Sequence, residues 1–203
     1  VLIDRGLENE MWLMFNWGDC GFNANLTTIM TGFNDPRQPL YMSKNANDIE
    51  DVNTKVVTPK GSGYYGIRFA SGLPGKPNYT SNYSQWIDAP NALGVYAMPL
   101  PIFKAAESYF LLAEAKLRWN IGSETVQALY EKGIRNSMEN ELSYRGKYAG
   151  ITAYNPSAID DYINGITSQA DFINPGDATL NHAAMSNLCV KWDEGATNEQ
   201  KLE

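Results

Sequence analysis

The segment Tyr79 to Trp86 holds the residue types in this chain best suited to binding chemistry. Tyr79, Tyr83 and Trp86 are interleaved with Asn78, Ser81, Asn82, Ser84 and Gln85. A flat ring covers the apolar face of a sugar, amides and hydroxyls take its hydroxyl groups, and a ring with a polar tip keeps one edge wet. The same rings would serve equally well to pin a loop to a helical body, and the residues alone leave both uses open. Tyr79, Asn82, Tyr83 and Trp86 form the candidate glycan-contacting set, with Tyr64 and Trp17 as weaker additions.

Catalytic chemistry has less support. His182 is the single histidine, so no His-based metal cluster can form, and a triad would have to be built around this one residue. Its setting, Leu180-Asn181-His182-Ala183, offers no partner for that role. Cys20 and Cys189 stand far apart without a CxxC spacing. They read as small buried hydrophobes, with a long-range disulfide in an oxidising compartment as the alternative. Glu107 and Glu114 lie two turns apart on one helix, the spacing of a solvated or ion-paired face rather than of a hydrolytic acid pair. Asn45, Asn47, Asp48, Glu50, Asp51 and Asn53 make an oxygen-rich stretch. It lacks the sixth-position glycine of an EF-hand loop and reads as a solvated loop rather than a Ca²⁺ site. No GxGxxG, P-loop, HExxH or GxSxG occurs, so no catalytic residue, metal or cofactor is expected. The sequons at Asn25, Asn78 and Asn82 read as chance matches in an Asn-rich chain.

Composition narrows the classes further. The chain has 203 residues, 43% hydrophobic and 19% charged, which is enough for one large core and is not the composition of a disordered segment. Its net charge of −7 lacks the electrostatic footprint of a nucleic-acid binder. No run of 18 apolar residues is present to span a membrane.

The elements that must carry these residues are uneven along the chain. Residues 1–101 read as loop-rich, with a short helix from Asn25 to Thr31 closed by Gly32, a turn at Asp35-Pro36 and a short strand over Gly63 to Ala70. Residues 102–140 read as a helix hairpin. Its first helix runs to Trp119 with Ala105, Tyr109, Leu112, Ala113 and Leu117 on the apolar face. Ser123 is expected to cap the second, which carries Val126, Leu129, Tyr130, Gly133, Ile134 and Met138. Ala113 and Gly133 are small enough for close approach, and the unit resembles a tetratricopeptide repeat. A lone repeat cannot cover its own core, so its stacking partners are expected elsewhere. Tyr109, Phe110, Trp119 and Tyr130 are assigned to this packing. Residues 141–203 read as loops, a short helix near Asn155 to Asn164, a short strand at Leu188 to Trp192 and a last helix. That helix is announced by the capping-box spacing Thr197 to Gln200 and has only three residues left, so the chain is expected to be cut from a longer protein at both ends.

Glu107-Ser108-Tyr109-Phe110-Leu111-Leu112-Ala113-Glu114-Ala115 followed by Ala128-Leu129-Tyr130-Glu131-Lys132-Gly133-Ile134-Arg135 resembles the signature of the SusD/RagB family, nearest its SusD-like type 2 branch. Gly32-Phe33-Asn34-Asp35-Pro36-Arg37, Tyr65-Gly66-Ile67-Arg68 and Val190-Lys191-Trp192-Asp193-Glu194-Gly195-Ala196 agree with it. The resemblance implies a mainly α fold, with tetratricopeptide-like helix pairs, long irregular loops and a few short strands. It further implies a surface-exposed lipoprotein of the outer membrane of Bacteroidetes. Such a protein binds glycan without catalysis and delivers it to a SusC-type TonB-dependent transporter. Its lipid anchor would lie outside this chain. The signature residues are scaffold in that reading, and the family assigns no ligand contact by motif. Two other functions stay open: a helical-repeat module that binds the transporter without touching sugar, and a glycoside hydrolase.

Overall fold

The computed structural model describes residues 2–3, 21–69, 82–86, 100–149 and 157–203. Among these, six α-helices and one 3-10 turn stand against two minimal antiparallel ladders, so the mainly α expectation holds. The chain divides into two compact units. One comprises Val1–Asn9, Ala89–Gly165 and Val190–Glu203; the other comprises Glu10–Asp88 and Ile166–Cys189. Each unit is closed by a segment returning from the far end of the chain.

In the loop-built unit, α1 (Ala24–Gly32) is opened by Asn23, whose side chain accepts from the Asn25 N–H at 2.8 Å. Gly32 is the last helical residue rather than the left-handed cap, a role that Asn34 takes at φ 51°. The reason for glycine at position 32 is proximity. A Cβ there would sit 2.1 Å from the Ser168 carbonyl oxygen and 2.4 Å from the Ala170 nitrogen. The turn at Asp35-Pro36 forms as expected, with Asp35 buried and accepting from both the Arg37 N–H and its guanidinium. Next come α2 (Gln38–Tyr41) and the hairpin of β2 (Ile49–Glu50) with β3 (Val57–Thr58).

This unit has a polar core. Thr27, Asn45 and Ser84 are each no more than 2% exposed. Each is satisfied: Thr27 donates to the Ala24 carbonyl, Asn45 to the Asn47 and Pro59 carbonyls, and Ser84 accepts from the Tyr65 N–H. Buried Gln169 donates to Thr28 and accepts from the Met185 and Ser186 N–H groups. Buried polar groups with partners cost little, whereas an orphaned one costs its full desolvation.

The helical unit is built differently. Here β1 (Leu2–Ile3) pairs with β4 (Leu100–Pro101), and α3 (Ala105–Trp119) packs on α4 (Val126–Ala149). Strong helix formers fill α3, and Asn120 ends it in the left-handed conformation at φ 54°. Thr125, not Ser123, caps α4, accepting from the Ala128 N–H, and that helix continues past residue 140 to Ala149. The buried face of α3 agrees with the expected one at Ala113, with Tyr109 and Leu117 half-buried, and departs from it at Ala106 and Leu112. Ala106 and Ala113 are buried, while Leu112 is 48% and Trp119 66% exposed. Small residues let the two backbones approach, and Phe110 lies over Gly133, where a Cβ would be 2.6 Å from the ring. Tyr130 fits its assigned packing role: its ring meets Phe110 and Trp192, and its hydroxyl donates to the Val190 carbonyl at 2.7 Å. A short α5 (Ser157–Ile163) buries Ile159 and Ile163, and α6 (Asn198–Leu202) is opened by the full Thr197–Gln200 capping box.

Two expected strands, Gly63 to Ala70 and Leu188 to Trp192, form only single bridges, Asn23 with Ile67 and Ser168 with Cys189. The first cannot extend because its partner turns into α1 at Ala24.

Candidate functional site

Three extended segments of the loop-built unit meet around Asn45 and Ser84. Ser43 donates its N–H to the Gln85 carbonyl at 2.8 Å, and the Ser43 hydroxyl accepts from the Gln85 N–H at 3.1 Å. Asn45 donates its N–H to the Gly63 carbonyl, and Ser84 donates its N–H to the Tyr65 carbonyl at 2.7 Å. Residues 42–45, 63–67 and 82–86 are thus laced together, although no ladder is long enough to make a sheet. Along the first segment Met42 and Asn45 are buried and Lys44 is exposed.

This lacing brings Tyr64, Asn82, Tyr83 and Trp86 of the candidate set into one unit. Trp17 and Tyr79 lie outside the described residues. The four occupy different environments. Tyr83 is 6% exposed and its hydroxyl points at the Asn174 side-chain oxygen, 3.5 Å away. Burial pushes its phenol pKa upward, with the Asn174 hydrogen bond opposing and the nearby Asp177 charge adding to the rise. Its ring packs inside the unit and pins its segment there.

Trp86 is half-buried and stacks on Phe22, with centroids 5.9 Å apart and planes 15° from parallel. Tyr41 meets it at 5.7 Å and 34°. The Met42–Trp86 bridge holds these rings together. Tyr64 is half-buried; desolvation raises its phenol pKa, and the Lys44 ammonium lies 5.7 Å from its ring centroid. Asn82 is half-buried at the start of its segment. Phe22, Tyr41 and Lys44 were not in the candidate set. Phe22 precedes a helix cap and Tyr41 ends a four-residue helix, so no local spacing marks either as a neighbour of Trp86.

The other chemistry-bearing residues have structural work. Asp51 accepts from the N–H groups of Asn53, Thr54 and Ala178 at 2.9, 2.6 and 2.5 Å. The Thr54 backbone bond and then the Ala178 one hold its carboxyl at about 2, against a partial rise from burial. Asp177 accepts from Asn53 and from the Thr179 N–H and hydroxyl. The oxygens of the acidic stretch therefore face N–H donors, and no group of three potential metal-ligating side chains occurs among the described residues. Exposed His182 hydrogen-bonds the Ala183 carbonyl through Nδ1, and its backbone pairs with Phe172. Glu114 pairs with Arg118 one turn away, as an ion-paired face requires. Cys189 is half-buried, and Cys20 lies outside the described residues. No described helix is long and apolar enough to cross a membrane.

Comparison with known proteins places this arrangement. No curated protein matches the sequence. Among solved structures, a SusD homologue from Bacteroides thetaiotaomicron superposes with a TM-score of 0.72 at 27% identity, covering 100% of this chain and 37% of that one. A chitin-binding SusD homologue from Flavobacterium johnsoniae gives 0.68 at 29% identity over 95% of this chain and 34% of its own. A homologue from Bacteroides ovatus gives 0.63 at 26% identity, with 95% and 36% covered. The chain thus spans little more than a third of the length of these relatives. The SusD-like family model, described as SusD and RagB outer membrane lipoproteins, matches residues 1–203 throughout. Matched by that model over its whole length, the chain belongs to the SusD-like family of outer membrane lipoproteins.

Proposed function

We propose that this protein binds oligosaccharide at the outer membrane through the laced segments 42–45, 63–67 and 82–86 and passes it to a SusC-type TonB-dependent transporter without chemical change. The observation that carries the reading is that the laced segments hold half-buried Tyr64, Asn82 and Trp86 in one unit, with half-buried Tyr41 against the Trp86 ring. Half-buried rings keep part of their apolar surface for a ligand, and adjacent amides take hydroxyl groups. Family membership supports the location, and the chitin-binding neighbour supports the ligand class. The engagement of Asp35, Asp51, Asp177 and Glu114 in turns and ion pairs favours binding over hydrolysis.

The test is a glycan panel screened by affinity electrophoresis and calorimetry with the intact protein. Tyr64→Ala and Asn82→Ala are the informative variants, because neither side chain belongs to the buried core. Loss of a ring–sugar contact is expected to weaken binding by about tenfold. Unchanged affinity in both variants would remove the laced segments as the site. Hydrolysis of a glycan, abolished by one carboxylate substitution, would overturn the binding reading altogether.

A further inference from the structure

Lys44 differs from six other cations among the described residues. Arg37, Lys55, Arg118, Lys132, Arg135 and Lys201 each pair with a carboxylate. Lys44, exposed at the edge of the laced segments, has the Tyr64 ring as its neighbour. The acids of the same stretch are already engaged. Asp48 accepts from the Lys60 N–H, Glu50 pairs with Lys55 at 3.3 Å, and Asp51 takes its three N–H donors. An ammonium beside an aromatic platform, and with no carboxylate bonded to it among the described residues, is therefore available to an anion from outside.

We infer that Lys44 and Tyr64 form an acidic-sugar subsite, in which the ring covers the apolar face of a pyranose and the ammonium takes a carboxylate or sulfate borne by that sugar. This deepens the glycan-binding reading and rests on it. The chemistry is a charge-assisted hydrogen bond next to a stacking surface. The flexible four-carbon stem lets the ammonium move from over the ring to its side as the sugar arrives. The Tyr64 hydroxyl remains a donor at neutral pH.

The experiment compares polygalacturonate, dextran sulfate and neutral chitotriose against the intact protein and its Lys44→Gln, Lys44→Arg and Lys60→Gln variants, with melting curves confirming that each variant is folded. Polygalacturonate separates carboxylate recognition from the sulfate recognition read by dextran sulfate. Lys60 is an exposed lysine three residues from the Asn45-bonded Gly63, so Lys60→Gln makes the same charge change without touching Tyr64. The expected result is acidic-glycan binding weakened about tenfold by Lys44→Gln, largely kept by Lys44→Arg and by Lys60→Gln, and lost at high salt. Equal weakening by Lys60→Gln would assign the effect to general charge and overturn the subsite. Binding of chitotriose with no acidic-glycan affinity would overturn the subsite and leave glycan binding intact. Binding of none of the three by the folded protein would overturn the subsite together with the glycan reading as far as these probes extend.

Discussion

The helical unit and the loop-built unit solve the same packing problem with opposite materials. In α3 and α4 a close approach is a side chain on a glycine, Phe110 over Gly133, within a pair buried through Ala106, Ala113, Leu129 and Met138. In the loop-built unit a close approach is backbone on backbone, Gly32 against Ser168 and Ala170, within a core that includes Thr27, Asn45, Ser84 and Gln169. Helices satisfy their own backbone groups, so their interface is free to be apolar. Loops do not, and their buried backbone is met by other loop segments and by side-chain amides and hydroxyls. The difference teaches where substitutions will be tolerated. A ring can swing aside, whereas a hydrogen-bonded backbone crossing cannot.

The largest effect should come from Gly32→Ala. Its Cβ would meet the Ser168 oxygen at 2.1 Å and the Ala170 nitrogen at 2.4 Å, and Ala170 is itself held by the Thr28 carbonyl at 3.0 Å. Relief requires the 168–170 segment to leave α1, which breaks that bond and the buried Gln169–Thr28 contact. Overpacking of this kind costs about 3 kcal/mol, the upper part of the usual range. Urea unfolding measures it, and a loss below about 1 kcal/mol would mean that the crossing is softer than its hydrogen bonds require.

A smaller, pH-dependent effect follows from Asp51. Its folded pKa of about 2 lies below the ordinary carboxylate value, so the unfolded chain takes up the proton first as the solution is acidified. The stabilisation from Asp51 is fully present above about pH 4 and is lost as pH falls toward 2. Asp51→Asn should lower the melting temperature at pH 7 and by less at pH 3, where the native carboxylate has already lost part of its advantage. An identical decrement at both values would show that the carboxylate charge contributes nothing beyond its hydrogen-bond geometry.

The same contrast explains what the sequence made legible. Strong helix formers ending at Asn120, and the capping box at Thr197, located α3 and α6 because those signals are local. The buried face of α3 is legible at Ala113 but not at Ala106, because strong apolarity at Leu112 outweighs in the pattern the close approach that a small residue permits. The strand expected after Gly63 failed for a nonlocal reason, since its partner becomes a helix. At the candidate site, the interleaving of rings and amides drew attention to 79–86, but the pattern could not show that Tyr83 turns inward to Asn174, 91 residues away. Nor could it place Phe22 and Tyr41 on Trp86, since those contacts are made by folds of the chain rather than by spacing along it.

Gly133→Ala sharpens the comparison most, because its two consequences oppose each other. Alanine favours an α-helix over glycine by about 1 kcal/mol, which would stabilise α4. The added Cβ would meet the Phe110 ring at 2.6 to 2.9 Å. That ring is 39% exposed and can rotate toward solvent, giving up part of its contact with Tyr130, 6.3 Å away between centroids. The net change in the native background should therefore stay within about 1 kcal/mol of zero, far from the Gly32 effect. In a Phe110→Ala background the clash is gone and the helix preference remains, so the same Gly133→Ala change should stabilise the protein by about 1 kcal/mol. Urea melts of the four proteins in this cycle give the coupling directly. A large penalty for Gly133→Ala that persists without the Phe110 ring would show that the α3–α4 backbones, like those at Gly32, meet too closely for any side chain, and the distinction between the two units would not survive it.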